Sequence, residues 1–403
     1  MTNMMTVFTA PLKRRVVPTG RFATRLFWSR SSGATVMAGL LWVLLAGAPI
    51  LLIGCRSVSF DSDPSADIAP QNLYMFAPIQ APATAVGVSA LRVDLGRRLF
   101  YDKHLSVNGS LSCNSCHQLA HYGADPDQAV SFGHNQKPGG RNSPTVYNAG
   151  LQFVQFWDGR ATTLAEQASG PMMNPVEMGM PGPEAVLAYL HANAAYMKQF
   201  RQAYPDAKDP VVMDNVTNAI ATFENGLLTP ARWDKYLQGD TSALSDDEKQ
   251  GLRVYLRSGC ASCHAGKAMG GNSYQKLGAY QNWPDQHTDI GRMAVTHQAA
   301  DRMYFKVPLL RNVEKTGPWF HDGQVHSVEQ AVRLMAKYET GEELSNEDVR
   351  SITLFLHALT GEIPQQYIQP PASSELPTKA VVHRSGTRQN ASLADARSLT
   401  EGQ

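Results

Sequence analysis

Apolar positions along the 403-residue chain recur mostly at helical spacing, and few segments alternate as strands do. Leu91, Leu95 and Leu99 share one helix face, and longer helical patterns cover 184–204 and 211–228. Ser245-Asp-Asp-Glu248 reads as a capping box. The helix it opens runs to Ser258, with Gly259 as its stop. Ser327-Val-Glu-Gln330 opens another helix, carrying Val332 and Met335. Ser345 with Asp348 opens a third, whose buried stripe is Val349, Ile352, Phe355, Leu356 and Leu359. Residues 57–85 are rich in Ser, Pro, Ala and Asp and read as a linker. The polar chain from 366 on reads as frayed.

The N-terminus has a different pattern. Residues 1–34 carry six basic groups and no acid, and 35–53 is a 19-residue uncharged, mostly apolar run. That length fits a membrane-spanning helix, with the positive charge on the cytoplasmic side. The run ends in Leu52-Ile53-Gly54-Cys55, a sequence like a lipoprotein cleavage site. A lipidated or cleaved signal and an uncleaved anchor both remain open, because the basic lead is long for a signal peptide. Residues 1–56 hold seven of the 36 basic residues and none of the 35 acidic ones, so the remainder carries a net charge of −6. An acidic body suits a basic redox partner and offers nothing to nucleic acid.

The chemistry lies in two short strings, Cys113-Asn-Ser-Cys116-His117 and Cys260-Ala-Ser-Cys263-His264. Cys-x-x-Cys-His is the attachment signature of c-type haem. Two thiols at this spacing meet the two vinyl groups of one porphyrin, and the adjacent His becomes the proximal iron ligand. A redox dithiol or half of a zinc site would leave the His after each pair unexplained. Four of the five Cys are used in this way and the fifth is Cys55. Haem attachment is extracytoplasmic, so the periplasm is the expected compartment, with a membrane tether through Cys55 or the N-terminal anchor. The expected fold is mostly α: two tandem c-type cytochrome domains, 86–240 and 241–368, preceded by a signal or anchor segment at 1–56 and followed by a flexible tail at 369–403. Each would hold one covalently bound haem c.

An ordered series of further segments resembles the bacterial di-haem cytochrome c peroxidases and their MauG-like relatives over roughly 91–362. The segments are Leu95-Gly-Arg-Arg-Leu-Phe, Gly140-Arg-Asn-Ser-Pro-Thr-Val-Tyr-Asn148, Phe156-Trp-Asp-Gly-Arg160, Asn174-Pro-Val-Glu-Met178, Phe305-Lys-Val-Pro308, Leu310-Arg-Asn-Val313 and Phe320-His-Asp-Gly323. The resemblance implies that the first haem is the peroxide site. Its displaceable distal ligand would be His134, on a loop with Gly133, Gly139 and Gly140, with His121 as competitor. It implies Glu177 as the distal acid–base group, since breaking a peroxide O–O bond needs a proton moved between its oxygens. Gln167 would be a second distal residue and Trp157 would lie between the haems.

For the second haem the resemblance implies a His264/Met335 pair. A thioether favours ferrous iron and raises the potential, so this haem fills first. A MauG-like member would use a Tyr instead, for which Tyr338 is the candidate. Leu277 stands where many relatives carry a Met. Calcium is implied between the domains, held by Asn142 and the backbone of Thr316 and Pro318, oxygen donors suited to a hard cation. His321 matches a family position without a derivable role. The implied activity is reduction of hydrogen peroxide with electrons from a small periplasmic c-type cytochrome or cupredoxin. The rivals are oxidation of a protein substrate and plain electron carriage. Family members are commonly homodimers, though no interface is readable here.

Overall fold

The computed structural model describes residues 65–80, 86–284 and 288–372, all within one compact unit. The expected signal or anchor, Cys55 and nearly all of the 369–403 tail lie outside these residues. Among the described residues no helix is long and apolar enough to cross a membrane.

The helices are α1 (Val88–Tyr101), α2 (Cys113–Cys116), α3 (Leu164–Met173), α4 (Pro183–His191), α5 (Ala194–Ala203), α6 (Met213–Glu224), α7 (Arg232–Leu237), α8 (Asp246–Arg257), α9 (Met293–Thr296), α10 (Val328–Met335) and α11 (Asn346–His357). Two short strands, β1 (Tyr274–Lys276) and β2 (Tyr304–Lys306), pair antiparallel with Gln275 opposite Phe305. The helix starts are set by local chemistry. Ser245 and Glu248 cap α8 reciprocally, while the Ser327 and Ser345 hydroxyls accept the N–H groups of Gln330 and Asp348. Gly259 takes a left-handed φ of 78° just past α8. The pattern over 184–204 is two helices rather than one. The Asn193 side chain accepts from the N–H groups of Ala195 and Tyr196 and starts α5 afresh. Leu91 is exposed, so the buried face of α1 is Leu95, Gly96, Leu99 and Phe100.

The helix before each haem motif makes the same crossing. A Cβ on Gly96 of α1 would lie 1.9 Å from the Ala219 carbonyl oxygen of α6, and a Cβ on Gly251 of α8 would lie 1.9 Å from that of Ser351 of α11. Glycine is required at both, because the backbones touch. The helix pairs thus pack alike, and each supports its own core. The first core runs from Leu95 to Leu227 in sequence and the second from Trp233 to Leu359.

Two segments cross between these halves, and both correct an expectation. Within the expected linker 57–85, Ile68, Leu73, Phe76 and Ile79 are buried, and the first three join the second core. The segment is pinned there by bonds from the Tyr236 hydroxyl to the Ile68 carbonyl (2.8 Å) and from the Gly266 N–H to the Met75 carbonyl (2.8 Å). Its few apolar residues sit on short turns, so no periodicity announces their burial. The chain past 366 is likewise not frayed at its start. Tyr367 stacks on Phe223 at 5.2 Å, Ile368 enters the first core, and the Tyr101 hydroxyl donates to the Ile368 carbonyl.

A buried ion pair anchors the first of these straps. Arg311 donates two 2.8 Å bonds to Asp234, with both side chains at most 3% exposed. The same carboxylate accepts from the N–H groups of Ile79 and Ala231, and Arg311 also donates to the Lys267 carbonyl. Arg311→Ala leaves a charged carboxylate buried without its counterion. The expected loss is about 3–5 kcal/mol of stability, read by denaturant or thermal melting of the haem-loaded protein. Asp234→Ala should cost a similar amount, and the double variant much less than the sum. Additive losses would show that the two groups do not act as a pair.

Candidate active site

Each haem motif folds as a single turn. In α2 the Ser115 hydroxyl accepts from the Ser112 N–H at 3.0 Å, and the His117 N–H donates to the Cys113 carbonyl at 3.0 Å. This places both thiols and the imidazole on one side of the turn. The four thiols of the two motifs form no disulfides. His117 is buried, which lowers its pKa, and its Nδ1 lies 3.4 Å from the Gly123 carbonyl. That carbonyl selects the Nδ1–H tautomer and leaves the Nε2 lone pair free for a metal. At the second motif the His264 N–H donates to the Cys260 carbonyl (2.9 Å), and the Tyr255 hydroxyl donates to the His264 carbonyl. Burial pushes the His264 pKa down to about 4. Its Nδ1 is buried and unbonded, with the Met269 and Pro308 carbonyls against the ring short of hydrogen-bond geometry.

In front of the first motif lies a cavity of about 580 Å³, within the range of cofactor sites. Cys113, Cys116 and His117 form one part of its wall, and Gln167, Glu177 and Trp157 another. Free thiols, a neutral imidazole with an available Nε2 and a cavity of this size fit a covalently attached haem. The free thiols of Cys260 and Cys263 and the adjoining His264, on a matching turn, fit a second.

Glu177 is held by its own turn. The Asn174 amide donates to Glu177 Oε1 at 2.8 Å, while Asn174 Oδ1 accepts from the Val176 N–H. Burial raises the Glu177 pKa, opposed by the positive charge of Arg160 and by the Asn174 bond. The His134 loop crosses directly over this turn. A Cβ on Gly133 would sit 2.0 Å from the Val176 carbonyl oxygen, and the His134 N–H donates to the Glu177 carbonyl at 2.6 Å. The His134 ring does not line the cavity. It lies against Gly179, its Nδ1 buried without a partner. His121 is exposed and bonded to Gln118 at 2.9 Å, away from the cavity.

Trp157 spans the cavity wall and a neighbouring apolar cluster. Its indole N–H donates to the Asn142 carbonyl (2.9 Å), and its own carbonyl accepts from the Lys306 N–H (2.8 Å). It lines the cavity and also packs on an apolar cluster of Trp283, Met303, Phe305 and Tyr338. Met335, at the end of α10, and Leu277 pack on the same cluster. Met335 and Tyr338 are thus brought to one place. From Phe305 in this cluster, β2 leads on to Pro308, whose carbonyl lies against His264. Asn142 is buried, its N–H donating to the His321 carbonyl and its side-chain amide to the Ala129 carbonyl. Thr316 and Pro318 lie in the turn between Val313 and Trp319, where the Thr316 hydroxyl donates to the Val313 carbonyl at 3.5 Å. No cluster of three or more His, Cys, Asp or Glu suited to a metal occurs among the described residues.

Sequence reasoning missed several charged groups of the cavity. Arg141 grips Asp289 through two bonds of 2.6 and 2.8 Å and reaches Asp158 at 2.7 Å. Lys306 is 4% exposed and its pKa falls to about 7 through burial. Glu224, at the end of α6, is 4% exposed, lines the cavity near Cys113 and has no partner for Oε2. The signal for Glu224 was its place on the apolar face marked by Ile220 and Phe223.

The family model for di-haem cytochrome c peroxidase matches residues 90–242. The cytochrome c551 peroxidase of Nitrosomonas europaea is 42% identical over 303 residues, covering 74% of this chain and 90% of that protein. The methylamine utilization protein MauG of Methylorubrum extorquens is 32% identical over 344 residues, covering 79% and 95%. Among solved structures, a MauG-like protein associated with microbial copper homeostasis superposes with a TM-score of 0.63 at 26% identity, covering 73% of this chain and 96% of that one. With two haem c attachment turns, a carboxylate-bearing cavity before the first and matches of this extent, the chain belongs to the di-haem cytochrome c peroxidase family and is a haem c oxidoreductase.

Proposed function

We propose that this chain reduces hydrogen peroxide to water in the Glu177 cavity, with electrons delivered through the second haem site by a small periplasmic c-type cytochrome or cupredoxin. The observation that carries this reading is a half-buried carboxylate with a raised pKa in the same cavity as Cys113, Cys116 and His117. Haem held by those three residues would supply the electrons and Lewis acidity that break the O–O bond. Two electrons and two protons turn one peroxide into two waters. Glu177 takes the proton from the inner oxygen and returns it to the outer one, and the burial that raises its pKa favours holding that proton between the two steps. Asn174 fixes its direction, and Gln167 is the second polar group over the same space.

His134, whose ring rests against Gly179 outside the cavity, would be the displaceable ligand of the first site. The support is its unpaired Nδ1 and a loop tied to the Glu177 turn by one backbone bond, so that a shift of the loop reorders both groups. Trp157, wedged between cavity and apolar cluster, would carry electrons from the His264 site, where Met335 would help hold the haem iron. Calcium between Asn142, Thr316 and Pro318 would brace this junction with oxygen donors. Each half then acts as one haem unit of a tandem pair, consistent with the repeated Gly96 and Gly251 crossings. Placement in the periplasm follows from haem attachment, with a membrane tether through the N-terminus. A MauG-like oxidation of a protein substrate is the second reading, favoured by the burial of Tyr338 in the Met335 cluster.

Glu177→Gln should lower peroxide turnover by roughly 10²–10⁴-fold while both haems stay bound. Full activity in that variant would remove Glu177 from the reaction. Met335→Leu should convert the second haem from a low-spin to a high-spin spectrum, with Tyr338→Phe leaving it unchanged. The reverse pattern would move the assignment to the MauG-like reading.

A further inference from the structure

Glu224 is a cavity carboxylate that the proposed chemistry does not use and that, unlike Asp158 and Asp289 in the same lining, has no arginine partner. It closes α6, one turn after Ile220, and both line the cavity. Its side chain is 4% exposed and Oε2 has no hydrogen-bond partner. The groups around it are accounted for. On α1, Asp94 pairs with Arg97 and Arg98, and Tyr101 donates to Ile368. On α3, Glu166 accepts from Thr162 at the surface. The Tyr367 hydroxyl, from the C-terminal strap, donates to the Phe223 carbonyl. From the cavity side come Cys113, Cys116, His117 and Glu177, the last beside Arg160, and elsewhere in the lining Lys306 and the Arg141, Asp158 and Asp289 cluster. None is bonded to the Glu224 carboxylate.

A lone buried carboxylate is costly when charged, so it stays neutral unless positive charge arrives nearby. Burial alone pushes its pKa up to about 8. Glu224 lies near the Cys113 thiol in the cavity wall, which would set the acid beside the point where haem attaches. The oxidised iron is the positive charge that would favour the carboxylate, and its reduction removes that charge. We propose that Glu224 couples electron arrival at the first haem to proton uptake: as one electron reaches the iron held by His117, one proton from water bonds to the Glu224 carboxylate, and the net charge of the cavity is unchanged. Glu224 is thus a positioning group for charge, distinct from the peroxide-facing Glu177, and it makes the first haem easier to reduce at lower pH. The inference rests on haem being attached at Cys113 and Cys116.

The test is a spectroscopic redox titration of the protein loaded with two haems, at a series of pH values, for native chain and Glu224→Gln. In the native protein the first-haem potential should fall as pH rises and level off above about 8. In Glu224→Gln that dependence should be lost, while the second-haem potential responds to pH identically in both. The same slope in the variant would overturn the proposal. Should the variant not load or fold, the infrared difference spectrum of the native protein decides. Reduction of the first haem should raise a deuterium-sensitive protonated-carboxyl band, and its absence would overturn the proposal. Failure of the native chain to bind haem at Cys113 and Cys116 would instead refute the haem assignment, a separate result read directly from absorbance.

Discussion

Arg311 and Asn312 are adjacent, completely buried, and between them hold the two halves of the molecule in register. Arg311 closes on Asp234 and, through it, on the N-terminal strap, and donates directly to the Lys267 carbonyl just past the second haem motif. The Asn312 amide donates to the Thr229 hydroxyl, which also accepts from Asn148, and Asn312 Oδ1 accepts from the Gly361 N–H. Asn148 belongs to the first half, on the loop just after the cavity-lining stretch 139–146. Such a network is stable only when every member is satisfied. Its geometry is therefore all-or-none, which suits two redox sites whose separation must not drift.

The straps serve the same end. The N-terminal segment completes the second core and the C-terminal segment completes the first. Neither core is closed by its own half alone, which explains why the described residues form one compact unit although the helix pairs repeat. Trp157 sits at the centre of this arrangement. Its carbonyl is bonded into β2 and its indole to Asn142. Trp157 is thereby fixed from both sides, the preorganisation that the proposed relay needs.

The parts legible in the sequence are those set by local chemistry. Cys-x-x-Cys-His spacing is dictated by one porphyrin, and Ser245, Ser327 and Ser345 announce their helices because a cap is made within three residues. Non-local packing was not legible. The strap at 66–79 carries its apolar residues on short turns without period, and Tyr367 is buried only because Phe223 offers it a flat ring face. Periodicity also failed at Asn193, where one side chain restarts a helix. Glu224 was hidden because an acid on an apolar face looks like a boundary residue until the cavity it faces is known. The placement of His134 beside Gly179, outside the cavity, likewise depends on how two loops cross.

The central claim is that the cavity joining His117 to Glu177 turns peroxide over with electrons that enter at the second site. The most direct measurement is donor oxidation by the native two-haem protein: reduced small cytochrome c mixed with hydrogen peroxide, followed by stopped-flow absorbance. The account predicts catalytic oxidation of two donor molecules for each peroxide consumed. A long-lived oxidised spectrum with no donor oxidation would contradict it.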